Sequence, residues 1–414
     1  MAHLKRSIGI SLWFMFLTLP LMVVRVNTIN NEVEWRWSNM LWVGLCSFAL
    51  AWLWHFSTER RANRREADKT AAQPTVEKVT FAQRLADDPV LSKRLLLVAA
   101  AVGLVFPWLV STGQNFYHVN VMVSALIFVV LGLGLNITVG LAGLLDLGYI
   151  AFFAVGSYTY ALLSKNFDLG FWTCLPLGGL MGMLFGIVLG FPILRLRGDY
   201  LAIVTLGFAS ITKIVLENWD TVFGGAAGIA NIPRPELFGM ALDGRQKAVY
   251  SYYIVLALVG ITILVTTRLK NSRIGRAWMA LREDEIACVA MGVDMARTKL
   301  SAYALGAFWA GLVGVIFAAH NSFINPDSFT FMDSAMILAM VVLGGMGSIL
   351  GVIIASLALK LLPEYLRTFA EYRMLVFGAV MVLMMIFRPQ GLISNMRRKY
   401  DLSAVKKGKT DGSK

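Results

Sequence analysis

Long apolar runs broken by short polar and charged ones cover most of this chain. The runs place candidate helices at 8–24, 38–56, 95–112, 119–140, 142–163, 171–194, 200–217, 250–267, 298–319, 334–362 and 374–387. Hydrocarbon offers no partner to a bare peptide group, so a crossing segment must satisfy its own backbone, and a helix needs about 20 apolar residues to do so. The runs have that length and lack the short alternating pattern of barrel strands. The expected fold is therefore all-α, a polytopic transmembrane bundle with about 10–12 crossings, some of them broken or re-entrant.

Two glycine clusters interrupt the pattern. The 334–362 run is too long for one crossing and contains Leu343-Gly-Gly-Met-Gly-Ser348, which is expected to turn the chain and split the run into two shorter helices. Gly132, Gly134, Gly140, Gly143 and Gly148 thread Asn136 and Asp146 through another apolar region. Two readings stand side by side for this second cluster: close helix packing by small residues, or a broken helix lining a path across the membrane. Asn136, Asp146 and Tyr149 are the candidate path residues.

Charge sets the expected orientation. Nine Lys and Arg residues between 57 and 94 put that segment in the cytoplasm, and the N-terminus with it. Counting crossings then puts Arg195 and Arg197 inside, 218–249 outside and the basic 268–299 segment inside. Splitting 334–362 returns the basic tail to the cytoplasm. The expected layout is a two-helix membrane extension over 1–56, a basic cytoplasmic linker over 57–94, a core over 95–388 and a basic cytoplasmic tail over 389–414. The run after Lys5 and Arg6 lacks a small-residue cleavage site and reads as a retained signal anchor.

Composition agrees: 57% of the residues are hydrophobic and 15% charged, against about a quarter charged in soluble domains. The net charge of +13 sits in the loops, so it calls for no nucleic-acid partner. Cys46, Cys174 and Cys288 lie far apart, as do the four histidines, and neither set has metal-ligand spacing. The histidines read as structural.

The chain shows no HExxH, no GxSxG and no paired histidine cluster, which disfavours a membrane enzyme. Gly408-Lys409-Thr410 resembles the end of a phosphate-binding loop, but Ser403 stands where its first glycine belongs. No cofactor is expected in this chain, and any ATP would be used by partner subunits. Ion-coupled carriers bury carboxylates, and only Asp146 and Asp333 lie near apolar runs, so an ion-coupled amino acid carrier is the alternative reading.

Between two crossings lies Gly275-Arg-Ala-Trp-Met-Ala-Leu-Arg-Glu-Asp-Glu-Ile-Ala-Cys-Val-Ala-Met-Gly-Val-Asp294. It reads as one short amphipathic helix, with Ala277, Leu281 and Cys288 on one face, Trp278 and Met291 near it, Arg282, Glu283 and Glu285 projecting elsewhere, and Gly292 as its stop. From the residues alone, a helix resting on headgroups is the simpler account.

Ala280-Leu-Arg-Glu-Asp-Glu-Ile-Ala287 with Met291-Gly292 resembles the signature loop of permeases in ATP-binding-cassette importers. Gly140 to Tyr149, Leu194 to Phe208, Val342 to Ser348 and Arg388-Pro-Gln-Gly-Leu392 are similar to the LivM-type permease subunit of bacterial branched-chain amino acid importers. The likeness covers roughly 95–392, and the first two helices loosely resemble an extension found on some members. It implies a multi-pass protein of the bacterial inner membrane, a LivH-type sister permease, two ABC ATPase subunits, and a periplasmic binding protein for leucine, isoleucine or valine. It also implies that Leu281, Arg282, Glu283, Asp284, Glu285, Ala287 and Gly292 belong to an ATPase-coupling element, so that charge reversal at Glu283 and Glu285 is expected to uncouple hydrolysis from uptake.

Overall fold

A computed structural model describes residues 101–108, 117–193, 198–235, 244–365 and 391–393, with isolated positions elsewhere. The chain divides into two compact units, Met1–Val79 and Thr80–Lys414. In the first, β1 (Val24–Asn27) and β2 (Glu32–Trp35) pair antiparallel, and Ser11 Oγ donates to the Gly44 carbonyl at 2.8 Å. The linker expected at 57–94 and the pair Arg195 and Arg197 lie outside the described residues.

The second unit is a helical bundle. Its helices are α1 (Tyr117–Leu135), α2 (Tyr149–Phe167), α3 (Phe171–Ile193), α4 (Asp199–Asn218) and α5 (Gly244–Asn271). After two short helices, α6 (Arg273–Glu283) and α7 (Glu285–Ala290), come α8 (Met295–Asn321), α9 (Phe331–Gly344) and α10 (Ile349–Tyr365). Among the described residues, six helices are long and apolar enough to cross a membrane. The span expected at 119–140 is α1 together with one turn of π-helix, Asn136–Leu141. The span expected at 142–163 begins later: residues 142–148 are irregular and α2 starts at Tyr149, because Gly143 turns the chain at φ +73°.

The expected split of 334–362 is present. Helix α9 ends at Gly344, and Gly345 and Gly347 adopt φ +102° and +83°, a region closed to most side chains. The returning α10 then passes so close that a Cβ on Gly351 would collide with the Gly344 carbonyl. Small residues also bring α2, α3 and α8 into backbone contact: a Cβ on Gly156 would strike the Gly311 carbonyl, and one on Gly311 would strike that of Gly178. Lipid tails give helices no hydrophobic reason to associate, so close packing of this kind is what binds them. At one end of the bundle β3 (Ile229–Ala230) pairs with β4 (Phe323–Ile324), tying the α4–α5 connection to the end of α8.

Candidate functional site

The segment between α5 and α8 is built as a rigid bracket. Ser272 caps α6 by accepting from the Gly275 amide at 3.2 Å. Gly275 is required there because a Cβ would meet the Leu269 carbonyl. Trp278 is buried, and its indole N–H is shared between the Thr298 carbonyl at 3.1 Å and Ser301 Oγ at 3.0 Å on α8. Leu281 and Cys288 are buried too, so most of the apolar face read from the sequence packs, while Met291, expected near it, lies past the end of the helix and is exposed.

The segment is not the single helix that its periodicity suggests. Asp284 adopts extended backbone (φ −156°, ψ 112°), ends α6 and starts α7, its carboxylate accepting from the Ile286 and Ala287 amides at 2.8 and 3.0 Å. An Asp competes well for such N-cap sites, which is why the helix restarts there. Gly292, at φ +83°, closes α7 while Val293 N–H returns to the Cys288 carbonyl at 3.1 Å. The outer side of α7 carries Ile286, Val289 and Met291 at 72, 52 and 84% exposure. These three form an apolar tip.

Two charged residues expected to project away turn back to the bundle. Glu285 pairs with Lys299 of α8 at 2.7 Å, where the lysine side chain is only 2% exposed and the glutamate 24%. Arg282 reaches inward and donates through Nη1 to the Gly140 carbonyl at 2.6 Å. Its stem lies against Gly143, where a Cβ would be 2.6 Å from Arg282 Cγ. Glu283 and Ala287 remain on the exposed side.

Gly140 belongs to the π-helical turn at the end of α1, and that turn meets the second glycine break. Asn136 Oδ1 accepts from the Gly347 amide at 2.8 Å, and Lys270 Nζ donates to the Gly347 carbonyl at 3.0 Å. The Gly391–Ile393 segment docks on the same corner, Leu392 N–H donating to the Leu343 carbonyl at 2.8 Å. On the other side, Leu147 N–H donates to Thr205 Oγ1 of α4 at 3.0 Å, and Ile150 N–H to Ser334 Oγ of α9 at 3.0 Å. Five sequence stretches far apart in the chain thus converge on the break between α1 and α2.

The three candidate path residues are buried within this junction. Asp146 Oδ1 accepts from the Gly148 amide at 2.9 Å, shaping the turn into α2, and Tyr149 donates to the Gly306 carbonyl of α8 at 3.0 Å. Asn136 Nδ2 and Asp146 Oδ2 are buried without a protein partner. In the Gly132–Gly148 cluster the helix is broken and its glycines are close-packed. Thr205, Lys270, Lys299 and Ser334 were not read from the sequence. Lys299, at the start of the 298–319 run and one turn into α8, carried a signal, since a cation there needs a partner.

The model of the family described as branched-chain amino acid transport system / permease component matches residues 117–385. The chain belongs to this permease family. Among its relatives is the high-affinity branched-chain amino acid transport system permease protein LivM of Escherichia coli, 46% identical over 337 residues, 76% of this chain and 78% of that one. A probable LivM permease of Methanocaldococcus jannaschii is 26% identical over 63% of this chain and 84% of its own length. The LivH permease of Escherichia coli is 25% identical over 64% of this chain and 91% of its own length. No solved structure matches. The matched region holds both glycine breaks and the bracket, so the corner where they meet lies within the part of the permease that its relatives share.

Proposed function

We propose that this permease is the LivM-type membrane subunit of an ATP-driven importer of leucine, isoleucine and valine in a bacterial inner membrane. In this reading it works with a LivH-type sister permease, two ABC ATPase subunits and a periplasmic binding protein, and the bracket faces the cytoplasm with both chain termini. One observation carries the proposal: α6 and α7 present an exposed apolar tip outward while Arg282 and Glu285 fasten the same element to the broken helix and to α8.

An ATPase groove that grips Ile286, Val289 and Met291 moves a body that is already tied at several points. Lys299 transmits the push along α8, and Arg282 delivers it to the Gly140 carbonyl. Backbone groups of a π-turn are held less regularly than those of an α-helix, so Asn136–Leu141 is a suitable place for α1 and α2 to change their angle. The Gly345–Gly347 turn, bonded to Asn136, follows the same displacement.

The test is to purify the tagged chain from its native membrane in mild detergent, identify its partners by mass spectrometry, and measure ATP-driven uptake of labelled leucine in proteoliposomes. Copurifying ATPases, a second permease and ATP-dependent uptake are expected. The buried, unpartnered Asp146 Oδ2 gives the ion-coupled carrier its one specific support. Uptake by the chain alone under an ion gradient would establish that reading instead.

A further inference from the structure

Opposite the bracket, a cavity of about 540 Å³ opens between the first turns of α1 and α5 and the last turns of α8 and α10. From Lys247 to Asn271, α5 rises roughly 36 Å, so the two features lie on opposite sides of the bilayer. The size falls within the roughly 300–1,000 Å³ typical of small-molecule sites.

Its wall carries three cationic side chains, Arg234, Lys247 and Lys360, and one carboxylate, Glu364. Lys360 is the informative one. It lies in the apolar helix α10 with its ammonium 3.8 Å from the centre of the Phe128 ring. Ionisable residues in the apolar helices of a membrane protein face the bundle interior or a water-filled cavity and mark solute pathways, and among the described residues neither Lys360 nor Lys247 forms a salt bridge. Arg234 is positioned from behind. Its Nε donates to Ser322 Oγ at 3.0 Å, Tyr160 OH donates to the neighbouring Pro233 carbonyl at 2.7 Å, and Ile232 N–H donates to the Ser322 carbonyl at 3.1 Å. The rim is therefore built, not a chance gathering of surface charge.

We propose that this cavity is a receiving subsite in which the α-carboxylate of the amino acid cargo is held by Lys247 and Lys360. The ammonium of the cargo faces the oxygens of Glu364 and Asn120, and Val121 borders its short apolar side chain. This proposal rests on the importer reading, since it names the cargo of that reading. An excess of positive charge suits a carboxylate, which a bidentate or charge-assisted contact holds more strongly than a neutral group. A lipid phosphate shares that anionic chemistry, so the test separates the two.

The assembled importer carrying Ser124→Cys is placed in phosphatidylcholine vesicles without the binding protein. Labelling by a water-soluble thiol reagent is scored as the increment over the native chain, and ATP-driven uptake is measured in parallel with the binding protein added. Leucine is expected to slow labelling, with leucinol, which lacks the carboxylate, at least about tenfold weaker. Lys247→Ala with Lys360→Ala should remove the protection, and Lys360→Arg should keep it. If the alanine pair fails to assemble, the discrimination between leucine and leucinol decides without it. Equal protection by leucine and leucinol, or none in vesicles that take up leucine, overturns the subsite and leaves the importer reading standing. Protection by added phosphatidylglycerol in place of leucine overturns it in favour of a lipid headgroup. Native vesicles that take up no leucine overturn the importer reading and with it the cargo named here.

Discussion

Replacing Glu285 by Gln should loosen α7 more than replacing its partner. The Lys299 side chain is 2% exposed, so Glu285→Gln leaves a charge that water cannot reach. Breaking a buried pair from the side that strands the buried charge costs about 3–5 kcal/mol. Because the glutamate itself keeps 24% exposure and part of its hydration, the low end, about 3 kcal/mol, applies here. Lys299→Met strands the carboxylate instead, whose Oε2 is buried but whose side chain keeps 24% exposure, and should cost about 2 kcal/mol. The double substitution removes both charges and should lie close to the native protein.

Amide hydrogen exchange reads this directly, because α7 opens locally and its protection falls with its stability. The amides of Cys288, Met291, Gly292 and Val293 are bonded within this segment to Asp284, Ala287, Val289 and Cys288 carbonyls. At about 1.4 kcal/mol per factor of ten, they should exchange about a hundredfold faster in Glu285→Gln and about thirtyfold faster in Lys299→Met. The double variant should fall within about a factor of five of native protein. Equal exchange in all three variants, or faster exchange in Lys299→Met than in Glu285→Gln, would refute the role assigned to the pair.

Arg282→Gln removes the bond to the Gly140 carbonyl but leaves α6 packed through Trp278 and Leu281. ATP hydrolysis by the complex should persist while leucine taken up per ATP falls about tenfold, measured in proteoliposomes. Gly347→Ala places a Cβ at φ +83° and should cost about 1–2 kcal/mol, seen as a lower melting temperature of the purified complex. Met291→Glu on the exposed tip should leave the melting temperature unchanged and reduce copurification of the ATPases, scored by quantitative mass spectrometry.

The spans were legible because one rule dominates in hydrocarbon: each long apolar run must be a helix. The turn at Gly345–Gly347 was legible for an equally local reason, since four glycines within a run too long for one crossing have few other uses. Other features depend on partners distant in sequence. The period of 3.6 residues places Leu281 and Cys288 on one face, yet it does not reveal that Asp284 wins the cap and divides the helix. Arg282 and Glu285 look like surface charges because helical phase says only that they point away from that face. Their partners, Gly140 and Lys299, lie 142 and 14 positions away, and the tertiary fold alone brings them into reach. His320 read as structural, and it stands on the wall of the α1–α5–α8–α10 cavity.

The same distribution of contacts bears on why charge reversal at Glu283 and Glu285 is not one experiment. Glu283 lies on the exposed side of the bracket, and reversing it alters what the bracket presents to a partner. Glu285 holds the bracket to α8, and reversing it places a second cation against Lys299 and dismantles the element itself. Uncoupling after the joint change would therefore not distinguish a lost docking contact from a lost lever. Glu283→Lys alone, with α7 amide exchange unchanged, isolates docking. Glu285→Gln combined with Lys299→Met isolates the lever, because it removes the charges while keeping the volume near that of the native pair. If that double variant keeps native exchange protection and native uptake per ATP, transmission runs through packing and through Arg282, and the Glu285–Lys299 pair serves only to position α7.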